Sequence, residues 1–266
     1  MEATAAKGDP RLSDTLAEAS RFFLSIGDRQ QALDYARKSA LLDEKAFGQD
    51  SARMAVHWEQ LASLEVDPAP WLERAASVHE KQAKPDSAKI AALHRRLGDL
   101  LSARNQTEGA LDRYRRAVSA AEKLGPADAR LAAALIDLGF ALESQQKFAQ
   151  AEPLYRRALA IQEKALSPRH PEVGVTLNNL AGVVGASGRL AQAELMLTRA
   201  VSILETTLGP NHARVAAACS NLGDLEAALG KVAAAKPLWA RAIAIYERLG
   251  DAAAAAEVRA SASAAR

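Results

Sequence analysis

The side chains of this 266-residue chain that could do chemistry are five histidines, one cysteine, and arginines, acids and amides recurring at a fixed interval. His57, His79 and His94 fall in separate apolar-periodic stretches, without HxxxH spacing or a cysteine partner, so they do not read as a metal site. His170 and His212 stand 42 residues apart in matching connecting segments, where a capping or packing role is expected. Cys219 has no second cysteine to pair with, which excludes an internal disulfide framework and fits a reducing compartment. No nucleophile, base and orienting group stand in a recognisable order. Gly182, Gly185 and Gly188 follow no strand and so do not make a phosphate loop. Arg95, Arg96, Arg104, Arg113, Arg115 and Arg116 crowd one stretch and could read an acidic peptide or a phosphate. Asp99, Glu108 and Asp112 are interleaved with them, which favours a solvated face of mixed charge. The pattern favours binding over catalysis, and neither a cofactor nor a metal is expected.

The elements that must position these residues announce themselves by repetition. The segments beginning at Leu135 and Leu177 keep Leu138/Leu180, Ala151/Ala193, Ala158/Ala200, Glu163/Glu205 and His170/His212, every pair 42 residues apart. A second ruler runs through KSALLDEK, RAASVHEK, RAVSAAEK, RALAIQEK, RAVSILET and RAIAIYER. Its small residues, Ser39, Ala75, Ala117, Ala158, Ala200 and Ala242, lie 36, 42, 41, 42 and 42 residues apart. Six units of helix, turn, helix and linker follow, because a period of this length means stacked repeats. The short interval falls at EVDPAPW, whose prolines stop one helix and start the next, so the second helix of unit two should be short at its start.

Four segments result: a flexible lead-in over 1–12, two divergent repeats over 13–89, four regular repeats over 90–250, and a capping helix over 251–266. The lead-in has no apolar core and is not a secretory signal. No uncharged apolar run approaches the roughly 18 residues of a membrane span. The 34 basic and 32 acidic residues nearly cancel, giving no field for nucleic acid or anionic membrane. A cytoplasmic chain is expected.

Within the regular units, Leu97-Gly98, Leu138-Gly139, Leu180-Ala181 and Leu222-Gly223 are followed by Ala110/Tyr114/Ala117, Ala151/Tyr155/Ala158, Ala193/Leu197/Ala200 and Ala235/Trp239/Ala242. This pattern resembles the tetratricopeptide repeat, and the 42-residue period with LNNLA and LGPNH resembles its kinesin-light-chain type. The resemblance implies an all-α, right-handed superhelical solenoid whose first helices line a concave groove for an extended peptide or partner helix. The stripes that packing leaves free are Arg95, Arg96 and Asp99 in unit three, and Asp137, Phe140 and Glu143 in unit four. Units five and six offer Asn178, Asn179 and Gly182, then Asn221 and Asp224. Asn179 and Asn221 match the position at which such proteins grip a peptide backbone, since an amide both donates and accepts. Asp137 and Arg96 depart from it. The competing expectation is that these amides bond to neighbouring helices. The function expected is a non-catalytic scaffold or adaptor that holds a protein or peptide partner. The alternative is a structural module that associates with its own copies through the divergent first units.

Overall fold

The computed structural model describes residues 10–265, and every regular element among them is a helix. In chain order these are α1 (Pro10–Ser25), α2 (Arg29–Phe47), α3 (Ala52–Leu64), α4 (Ala69–Lys81), α5 (Ser87–Ala103), α6 (Thr107–Glu122), α7 (Ala129–Glu143), α8 (Phe148–Ala165), α9 (Pro171–Ala186), α10 (Leu190–Leu208), α11 (Ala213–Ala228), α12 (Val232–Leu249) and α13 (Ala252–Ala264). The first twelve pair into six antiparallel hairpins, and α13 packs on α12. They form two compact bodies, one ending at Leu124 and the other starting at Gly125, with three hairpins in each. No helix among the described residues is long and apolar enough to cross a membrane. Residues 10–12 of the expected lead-in belong to α1, and residues 1–9 lie outside the described part of the chain.

The hairpins begin and turn by local chemistry. Asp28, Asp86, Asp128 and Asp251 cap the helices that follow them, each side chain accepting from backbone N–H groups of the first turn. His170 and His212 do the same through Nδ1 for α9 and α11, at 3.2 and 3.1 Å, which gives the two linker histidines the capping role their spacing suggested. In five of the six hairpins one residue between the paired helices has a positive φ, Gly27, Asn105, Gln146, Gly188 or Gly230, and the turn of unit two at 65–68 has none. The next N–H then closes back on the first helix, as from Lys147 to the Leu142 carbonyl at 2.9 Å. Unit two is shortened where its prolines fall: α4 has 13 residues against 16–19 in the other second helices. There Trp58 and Trp71 stack with centroids 5.4 Å apart, and the Arg74 guanidinium lies 5.2 and 5.1 Å from their rings.

The Leu-Gly signature has a steric cause. A Cβ on Gly98 would stand 2.5 Å from the Tyr114 ring, one on Gly139 3.0 Å from Tyr155, and one on Gly223 2.7 Å from Trp239. In unit five Leu197 stands in place of the ring, and there the first helix carries Ala181 instead of glycine. Glycine is therefore the partner of a ring, and alanine the partner of a branched aliphatic side chain.

Between hairpins, the recurring Arg and Glu series bridges consecutive units. Arg199 reaches Glu163 at 2.6 Å and the Pro168 carbonyl at 3.2 Å. One unit on, Arg241 reaches Glu205 at 2.7 Å and the Pro210 carbonyl at 3.4 Å. In the first body the corresponding Glu80 is instead held by His94 at 2.9 Å, and Arg116 turns to Asp112 at 3.0 Å. Such half-exposed pairs contribute about 0–1 kcal/mol each, so apolar stacking dominates the interface. Gly98→Ala should destabilise the chain by about 1–3 kcal/mol in urea denaturation, the usual cost of overpacking. Adding Tyr114→Leu, which copies the pairing in unit five, should recover part of that loss. Strictly additive losses would show that the ring contact is not the reason for the glycine.

Candidate functional site

The first helices present the residues that packing leaves over. Arg95, Arg96 and Asp99 lie on α5 in the first body. The other eight expected residues lie on three first helices of the second body: Asp137, Phe140 and Glu143 on α7, Asn178, Asn179 and Gly182 on α9, and Asn221 and Asp224 on α11. Helix α9 touches both α7 and α11. Phe140 is 60% exposed there, a large apolar ring turned to solvent.

The acids of this face are held from behind by the rings of the second helices. Tyr155 donates its hydroxyl to Glu143 at 2.7 Å, and Trp239 donates its indole N–H to Asp224 at 2.8 Å. In the first body Tyr114 does the same for Asp99 at 2.8 Å. The glycine beneath each ring lets it lie low enough across the first helix to reach the carboxylate. Unit five has neither ring nor acid; Leu197, Gly182 and Gly185 leave its helix bare. Glu143 leans into that space, its Oε1 3.3 Å from where a Cβ on Gly182 would be. Burial pushes the Glu143 carboxyl above its ordinary pKa, although the Tyr155 hydroxyl pulls the other way. Burial and that same carboxylate raise the Tyr155 hydroxyl.

The amides are partly spent on one another. Asn221 Nδ2 donates to Asn178 Oδ1 at 2.9 Å, across from α11 to α9, and Asn178 Nδ2 donates to Asn179 Oδ1 at 3.4 Å. The expected bonding between neighbouring helices is thus present for Asn178 and Asn221. Asn179 Nδ2 and Asn221 Oδ1 make no hydrogen bond to the protein among the described residues, leaving one donor and one acceptor on this face.

Two clefts in the first body escaped the sequence. One of about 370 Å³ opens between α1 and α3, with Arg53 reaching from Asp43 at 2.8 Å to Asp14 at 2.6 Å. His57 Nε2 meets buried Asp43 at 2.8 Å; burial pushes this carboxyl up, but bonds from His57, Arg53 and Ser13 outweigh it and hold Asp43 below its usual range. The second, about 490 Å³, is lined by Arg74, Arg113, Arg116, Glu73, Glu80 and His94, and Arg113 is already paired with Glu73 at 2.6 Å. A separation of 14 residues joins Asp43 to His57, Glu80 to His94 and Gln162 to Thr176, the last at 2.7 Å. That spacing was the one signal for these pairs, and it is meaningful only once hairpins are known to stack. No group of three His, Cys, Asp or Glu among the described residues could hold a metal ion.

Because its folded pKa is raised, Glu143 favours the protonated form, so its contribution weakens stability as pH rises from the ordinary carboxylate value through the raised one. Glu143→Gln, which still accepts from Tyr155, should therefore be more stable than the parent at pH 7. The gain should vanish on acidification to about pH 4, where an ordinary glutamate is already largely protonated. Urea midpoints at the two pH values read this directly, and a gain independent of pH would contradict it.

Residues 130–206 and 215–249 match the tetratricopeptide repeat family. No curated protein sequence matches the chain. Among solved structures, BtubC (BKLC) from P. vanneervenii is similar at a TM-score of 0.68 and 20% identity, over 85% of this chain and 91% of that one. The apo form of RapI gives a TM-score of 0.67 at 12% identity over 96% and 97% of the two chains. A signal transduction ATPase from Pyrococcus horikoshii with a tetratricopeptide repeat sensor gives 0.73 at 13% identity, over 91% of this chain and 37% of that one. Identities this low speak for the fold alone, an α-solenoid of stacked helix pairs. Residues 130–206 and 215–249 are thus tetratricopeptide repeats, set in a run of paired helices with a 42-residue period.

Proposed function

We propose that this protein is a non-catalytic interaction scaffold that holds a segment of a protein partner across α7, α9 and α11. The observation that carries this reading is the cleared surface of α9. Glycine inside a helix costs about 1 kcal/mol relative to alanine, and α9 carries two, Gly182, with Glu143 alongside it, and Gly185. A Cβ at Gly185 would meet only ordinary contacts, at 3.6 Å from Ala193 and 3.7 Å from Leu225, so packing does not require glycine there. Bare backbone flanked by an exposed ring and by an unpaired amide donor and acceptor suits an extended chain, whose own N–H and C=O groups alternate. The Phe140 ring would bury an apolar side chain of that segment, and Asn179 and Asn221 would hold its backbone.

A peptide-library screen against the full chain, with hits measured by calorimetry, tests the assignment. Asn179→Ala combined with Asn221→Ala should weaken hits by about tenfold or more, corresponding to about 1.4 kcal/mol. Gly182→Leu should abolish binding by filling the floor. Unchanged affinity in variants that keep their helical circular dichroism would place the partner elsewhere.

A further inference from the structure

The second body supplies cations for most of its carboxylates, and two go without. Eight of its aspartates and glutamates, from Asp128 to Glu247, form ion pairs with lysine or arginine, as Glu163 does with Arg199 at 2.6 Å and Glu172 with Arg214 at 2.7 Å. Asp137 is not without a partner either. Glu143 and Asp224 form no ion pair among the described residues. Each receives one hydrogen bond from a ring, Tyr155 to Glu143 Oε2 and Trp239 to Asp224 Oδ1, and their other oxygens accept none from the described residues. Phenol and indole are neutral donors, so they anchor a carboxylate without cancelling its charge. Past their first turns, α7, α9 and α11 carry no lysine, arginine or histidine.

Both acids stand beside the bare stretch of α9. Glu143 Oε1 is 3.3 Å from where a Cβ on Gly182 would be. Asn221 reaches from α11 to Asn178 of α9 at 2.9 Å, and one turn further along the same faces come Asp224 and Gly182. Burial already disfavours the charge on Glu143, and a cation arriving there would relieve that cost. Resting on the groove assigned above, we propose that the segment held across α7, α9 and α11 is basic. It is an extended peptide with lysine or arginine side chains that meet Glu143 and Asp224, its backbone crossing α9 at Gly182. Helices in contact have axes about 8–10 Å apart, and extended chain advances about 3.3 Å per residue. Two basic residues about five or six apart therefore span the distance from α7 to α11.

A random peptide library panned against the full chain, followed by titration of the hits, reads the partner's charge. Hits should be enriched in lysine and arginine and depleted of aspartate and glutamate. Glu143→Gln and Asp224→Asn keep an acceptor for Tyr155 and for Trp239 while removing the charges. Together they should weaken a hit about fivefold or more and flatten its dependence on salt. Glu205→Gln, which removes a carboxylate already paired with Arg241, should change affinity by less than about twofold. Hits that Gly182→Leu abolishes, yet that carry no excess of basic residues or keep their affinity in the double variant, overturn the basic partner and leave the groove standing. Basic hits indifferent to Gly182→Leu and to the double variant overturn both, as does a library without hits.

Discussion

Each hairpin of this chain has more apolar surface than its own two helices can cover, and that constraint governs the rest. Leu131, Leu135 and Leu138, or Val173, Leu177 and Leu180, recur at helical spacing and are buried in full or nearly so. Each such side chain contributes about 1.5–3 kcal/mol only if a neighbour excludes water from it. Within each body consecutive hairpins therefore stack, and stability becomes a sum of interfaces between neighbours. The ends of the stack are where the constraint bites. At the C-terminal end α13 lays Ala255 and Val258 against α12. At the other end, Leu12 of α1 is 45% exposed.

Inside the hairpin, one contact serves both packing and the site. A ring on the second helix lies over a glycine of the first and passes its polar tip to a carboxylate on the outer face. Glycine, ring and acid occur together in units three, four and six, and all three are missing from unit five. The absence is coherent: with Leu197 no polar tip needs a partner, and an acid there would gain no bond. The result is a smooth stretch of α9 between latched acids on α7 and α11. Fold and the proposed recognition surface thus share residues, Glu143 among them.

The polar pairs at the interfaces between hairpins show how loosely the repeat fixes its own decoration. Where the second body uses Arg199 with Glu163 and Arg241 with Glu205, the first body places His94 on Glu80. Buried Gln162 with Thr176 occupies the same place in the stack as Asp43 with His57. All satisfy the same requirement, that a polar group leaving water finds a partner. The histidines of the first body are accounted for in this way, as structural partners of carboxylates.

The sequence by itself determined the repeat, the helix pairs, the position of the short interval and the Leu-Gly-ring signature. It could do so because periodicity is local and is written once per unit. It also named eleven groove residues, eight of which fall on α7, α9 and α11, since helical spacing decides which side chains packing leaves over. It did not reveal that Arg199 reaches Glu163, that Asn221 spends its donor on Asn178, or that Tyr155 anchors Glu143. Those bonds join residues 36, 43 and 12 apart, and only the packing between hairpins, or within one for Tyr155, fixes which of them meet. Nor could sequence alone show that Leu12, Phe22 and Ile26 stay exposed. Leu12 stands at the position where Met54, Leu131 and Val173 are buried, and only the tertiary structure decides which apolar stripes are covered.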